Sequence, residues 1–129
     1  MKTRILPAFF AVALIAAGSA WAHHNMSAMF DFNQVVTRTG TLAKLDWRNP
    51  HIYILVDVDN AGQVERWSFE GPPPGFFRDR HVDKPAFEGS LEKSVTVEAS
   101  RARNGSLSGL IRQVTLTDGT VVSACPQNC

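Results

Sequence analysis

The chain has 129 residues, with 13 basic and 12 acidic side chains, a formal charge of +1 and a 44% hydrophobic share. That length holds one domain and not two. The near balance of charge removes the electrostatic reason to seek nucleic acid or an anionic bilayer.

The first 22 residues read as a secretory signal: Lys2 and Arg4 open it, Ile5 to Ala17 form a short apolar run, and Ala20-Trp21-Ala22 is a small-x-small cleavage site. Processing there makes His23 the first residue and leaves 107, with 11 basic and 12 acidic side chains because Lys2 and Arg4 depart. The run is too short to anchor across roughly 30 Å of hydrocarbon, and no later segment is apolar for long enough, so no membrane span is expected. The reading is a periplasmic or secreted domain. Its expected parts are a signal over 1–22, an N-terminal arm over 23–34, a β-barrel domain over 35–123 and a cysteine-containing tail over 124–129.

After the polar-aromatic arm, strand character begins at Val35. Thr37, Thr39, Thr41, Ala43, Leu45 and Trp47 fall on one side of a pleat, and Gly40 interrupts it like a bulge or bend. Asn49-Pro50 ends this strand. Ile52, Ile54, Val56 and Val58 alternate with Tyr53, Leu55, Asp57 and Asp59, and the turn residues 59–62 lead into a returning strand from Gln63 to Glu70. Three prolines at 72–74 stop it, because none can donate to a ladder. The span from Phe76 to Leu91 lacks a period of two, and one short helix beginning near Phe76 and stopped by Pro85 and Gly89 is predicted there.

Alternation returns from Ser94 to Ser100. Arg103-Asn104-Gly105 then suggests a type I′ hairpin, Leu107 to Thr117 the next strand, Asp118-Gly119 a tight turn and Thr120 to Ser123 the last strand. Three meandering strands, a connecting helix and a closing hairpin make the plan of an all-β fold. The expected form is a small antiparallel five- to six-stranded barrel of the oligonucleotide/oligosaccharide-binding (OB) type, with one short helix between the third and fourth strands. Closure removes sheet edges that otherwise invite aggregation.

Two places carry the ligand chemistry. The processed arm would present the α-amine and ring of His23 with His24, Met26 and Met29, a donor set with the softness of a copper site; the alternative is a polar arm whose methionines pack on the barrel. The corner Trp47-Arg48-Asn49-Pro50-His51 places an imidazole at the barrel rim, where it could bind, carry a proton or complete the metal site begun by His23. The favoured alternative there is structural: Trp47 fills the core, Asn49 caps the turn and His51 bonds to a backbone carbonyl. Trp67 and Glu70 complete the expected rim. Cys125 and Cys129 would join as a small disulfide in an oxidising compartment, closing a tail without holding the core.

His23-His24, Met29-Phe30-Asp31, Gly40, Trp47-x-Asn49-Pro50-His51, Trp67-x-x-Glu70 and Asp118-Gly119 together resemble a family of small exported bacterial proteins, domain of unknown function 6152. The resemblance implies the fold and compartment and transfers no activity. With no paired carboxylates, serine elbow, phosphate loop or two-spaced thiols, the reading is a non-enzymatic binding or accessory module. Its partner would be a small ligand or a periplasmic protein and not nucleic acid; copper handling by the arm is the alternative.

Overall fold

The computed structural model describes residues 26–125. After a helical turn over 26–29 come β1 (Phe30–Asp46), β2 (Tyr53–Asn60) and β3 (Gln63–Glu70). Two short helices, α1 (Pro74–Arg78) and α2 (Lys84–Glu88), connect to β4 (Ser94–Ala102), β5 (Ser108–Thr115) and β6 (Val121–Ser123). The strands lie in the order β3-β2-β1-β4-β5-β6, and a further pairing of β3 with β5 closes the sheet into a ring. That closing contact is parallel and joins Ser68 to Ser108, Phe69 to Gly109 and Glu70 to Leu110. Every other pairing between these strands is antiparallel. Meander, helical connection and closing hairpin follow one another as the sequence predicts. No helix among the described residues is long and apolar enough to cross a membrane.

Alternation places the core. Ile52, Ile54, Val56 and Val58 from β2 and its approach, Trp67 and Phe69 from β3, and Val95, Val97 and Ala99 from β4 are all buried inside the ring. The β2–β3 hairpin turns on Ala61 and Gly62, with φ of 52° and 85°, between the paired Asn60 and Gln63. Both residues must be left-handed in a two-residue turn of this kind, which suits Gly62. Asp59 Oδ1 accepts from the Gly62 N–H at 2.8 Å and fixes the turn.

Four boundaries differ from the sequence reading, each for a physical reason. β1 starts at Phe30 and not Val35: buried Phe30 pairs with Ala102 and Asp31 with Arg101, while a register shift between Asp31 and Val35 hides the strand's period. The second irregularity lies between Leu42 and Lys44, not at Gly40. It leaves Thr37, Thr39 and Thr41 exposed and turns Leu45 inward, so the six residues 37–47 of one apparent face belong to two. Gly40 instead permits close approach, since a Cβ there would run into the Asp57 carbonyl.

The connection contains two helices because Pro85 sits in the first turn of α2, where a missing N–H costs nothing, and the side chain of Asp83 caps it by accepting from Ala86 N. The β4–β5 connection is longer than a two-residue turn. Gly105 has φ of 79° but Asn104 is not left-handed, and the Gly105 N–H reaches Ala102 O at 3.4 Å. The two helices pack beneath one end of the ring, where Trp47 meets Phe77 and Phe87 at ring separations of 5.4 and 5.3 Å.

Candidate functional site at the β1–β2 corner

The corner after β1 is tied to the proline loop after β3. Gly71 N donates to Ile52 O at 2.8 Å and Ile52 N to Pro72 O at 3.3 Å, which extends the β2–β3 ladder past both strand ends. The Asn49-Pro50 peptide is cis. His51 Nδ1 lies 3.1 Å from Gly71 O and 3.6 Å from Glu70 Oε1. A carbonyl can only accept, so Nδ1 carries the proton and donates. The structural reading of His51 is therefore the observed one.

Glu70 links this imidazole to a phenol. Tyr53 pairs with Glu70 across the ladder, which sets its phenol beside that carboxylate. Burial first, and then the Glu70 carboxylate, hold the Tyr53 hydroxyl above its ordinary value of 10.0; Asp46 adds to the effect and Arg48 opposes it. Asp46 is itself paired with Arg48 at 3.0 Å.

The shift at Ala43 gives this corner its outer face. Beyond it Lys44 and Asp46 point outward with their partners Leu55 and Tyr53, which in turn pair with Ser68 and Glu70. Two rows result, Lys44-Leu55-Ser68 and Asp46-Tyr53-Glu70, with apolar or aromatic groups in the central column. A notch of about 280 Å³ opens here, lined by Lys44, Asp46, Arg48, Tyr53, Leu55 and Ser68.

The expected rim residues separate. Glu70 and His51 meet at the corner. Trp47 packs inward on the helices, and Asn49 is exposed with no side-chain hydrogen bond among the described residues, so it does not cap the turn. Trp67 is a core residue and not a rim residue: it is 1% exposed, stacks on Phe69 at 5.8 Å and donates from Nε1 to Glu65 Oε2 at 3.2 Å. Its place follows from alternation, since Ser68 takes the outward position between two inward rings. Arg38 and Arg101 lie over the Trp67 ring at 4.4 and 5.3 Å from its centroid.

Met26 and Met29 lie in the turn before β1, at the end of the ring away from the corner. There Arg103 holds the segment, donating from its backbone N to Met29 O and from Nε to Ser27 O, both at 2.9 Å, and pairing with Asp31 at 3.4 Å. Met29 is 47% exposed and lines a groove of about 410 Å³ with Phe30, Ala102 and Asn104. His51 lies beyond the C-terminal end of the 17-residue β1, which closes at Asp46, and Met29 precedes its first residue, so the structure does not bring them together. His23, His24 and Cys129 lie outside the described residues, and Cys125 is disulfide-bonded. Among the described residues, no three His, Cys, Asp or Glu side chains group as metal ligands would.

Lys44, Tyr53 and Ser68 are the site residues that sequence reasoning misses. The available signal is the outward half of the β2 alternation; Lys44 joins it only through a shift the sequence does not reveal. Fold and corner together define a small closed-sheet domain with a polar notch on its outer face. The chain belongs to the Family of unknown function (DUF6152), whose model it matches over residues 11–113. Among curated proteins and solved structures none matches it.

Proposed function

We propose that this protein is an exported, non-enzymatic binding or accessory module whose recognition surface is the outer face of the β1–β2–β3 corner. The observation that carries the reading is the notch: a phenol and an aliphatic side chain form its floor, and Lys44, Asp46, Arg48 and Ser68 its walls. Specific small-molecule sites combine an apolar surface with a few oriented polar groups. The His51–Gly71 hydrogen bond and the ladder pairing of Tyr53 with Glu70 hold the floor in place before any ligand arrives, which lowers the entropic cost of binding. Export rests on residues 1–22, with the processed chain beginning at His23.

Native mass spectrometry of the protein recovered from the exported fraction tests both halves. The expected result is a chain starting at His23 that carries a bound mass lost in Tyr53→Ala. A chain retaining Met1 contradicts export, and equal retention of the bound mass by Tyr53→Ala contradicts the corner as its site.

A second reading, copper handling by His23, His24, Met26 and Met29, draws on the half-exposed thioether of Met29. Thioethers favour Cu(I) and imidazoles Cu(II). His51 is not part of this version, because it sits at the other end of β1. Copper titration of processed protein, beside a form with one added N-terminal residue, checks it: the affinity should fall in the extended form, and an unchanged value removes the α-amine from the site.

A further inference from the structure

We infer that the corner notch takes a small oxyanion with a short apolar body, its negative end held by Lys44 and Ser68 and its body lying on Leu55 and Tyr53. This rests on the corner being the binding surface and names the chemistry it selects. Donors and acceptors around the notch are unequally committed. Asp46 is occupied by Arg48 at 3.0 Å. Glu70, across Tyr53 from it on the same face, interacts with the Tyr53 phenol and lies 3.6 Å from His51 Nδ1.

Both carboxylates at the corner are therefore engaged within the protein. The donors are not. Among the described residues neither Lys44 Nζ nor Ser68 Oγ has a hydrogen-bond or ion-pair partner, while the exposed Arg48 guanidinium pairs with Asp46 and keeps N–H groups to spare.

Register places the two uncommitted donors in one row, on either side of Leu55. Neighbouring strands are about 4.8 Å apart, so Lys44 and Ser68 flank a gap of two strand spacings that a carboxylate or phosphate group can enter from above Leu55. An oxyanion satisfies both at once through charge-assisted hydrogen bonds. A neutral polyol would leave the ammonium uncompensated. The volume of about 280 Å³ lies at the lower edge of the roughly 300–1,000 Å³ of ordinary ligand sites, so the occupant is small or is one end of a longer molecule.

The test is a titration of the isotope-labelled exported chain, followed by backbone amide shifts, with benzoate, acetate, inorganic phosphate and glucose as probes. Benzoate should move the amides of Tyr53, Leu55 and Ser68 and bind more tightly than acetate or phosphate, which lack the apolar body. Lys44→Met should weaken it about fivefold, the upper range for an exposed charge contact, and added salt should weaken it in the wild type.

Lys93→Met, away from the notch, should leave binding unchanged. If phosphate exceeds benzoate, the apolar body is not recognised and the inference fails. If glucose moves these amides and the anions do not, the anion assignment is overturned while the corner survives as a binding surface. If none of the four probes moves them, or Lys44→Met binds benzoate like the wild type, the inference is overturned outright.

Discussion

His51 shows how one hydrogen bond can settle a side chain's role. Its Nδ1 donates to the buried Gly71 carbonyl, and that contact ties the start of β2 to the proline loop. Leaving such a carbonyl unpaired costs about 1–3 kcal/mol. His51→Ala should lower unfolding stability by that amount in urea titrations. His51→Asn, whose amide nitrogen stands close to where Nδ1 was, should recover most of it; equal losses in both variants would mean that the imidazole acts by packing. Ser100 makes the opposite case. Among the described residues its hydroxyl is buried without a partner, so Ser100→Ala removes an uncompensated polar group and should leave stability unchanged or raise it by up to about 1 kcal/mol. A loss above that range would reveal a partner for Oγ.

At the scale of elements, the irregular residues matter more than the regular ones. Gly40 lets β1 cross β2 where a Cβ would meet the Asp57 carbonyl, which is backbone and cannot swing aside. Gly40→Ala should cost about 2–4 kcal/mol. Gly75→Ala is the control, because its Cβ would meet only the end of the Arg78 side chain at 3.5 Å, and it should stay within about 1 kcal/mol of wild type. Equal effects would remove close approach as the reason for glycine at position 40.

The strictly alternating strands were legible from sequence for the same reason that they pack well: Ile52 to Val58 and Trp67 to Phe69 carry an unbroken period of two. β1 is not, because a shift near residues 31–35 interrupts its pairing and the shift at Ala43 exchanges its faces. Two further elements were misread because their signal residues serve more than one geometry. Proline opens a helix as readily as it stops one, as Pro85 does in α2, and Asn-Gly also occurs in loops longer than a type I′ turn. Of the proposed site, His51 and Glu70 are legible by their chemistry, while Lys44 is hidden behind the shift at Ala43 and alternation puts Trp67 in the core and not on the rim.

For the whole molecule, acid should be the weak side. The Arg66 hydrogen bond holds Asp57 below its ordinary value of 3.8, hydrogen bonds from Asn60 and Trp67 hold Glu65 below 4.5, and the backbone hydrogen bond from Thr120 holds Asp118 below 3.8. A carboxylate whose folded pKa is depressed adds stability above its unfolded pKa and loses it as pH falls through the folded one. The melting temperature should therefore be flat from neutral pH down to about 5 and fall below the ordinary carboxylate range. Glu65→Gln should make that fall shallower, and an identical slope would remove Glu65 from the account. Asp118 is exposed and Asp57 and Glu65 are half-exposed, so each contribution is small and salt-sensitive.

The corner on which the proposed function stands can be read through one chromophore, since Tyr53 is the sole tyrosine. Following phenolate absorbance against pH in wild type and Glu70→Gln tests the polar cluster that builds the notch. The wild-type midpoint should lie above the ordinary 10.0, and removing the Glu70 charge should bring it down. An ordinary midpoint in the wild type, or one that Glu70→Gln leaves in place, would contradict a half-buried Tyr53–Glu70 pair at the centre of the proposed site.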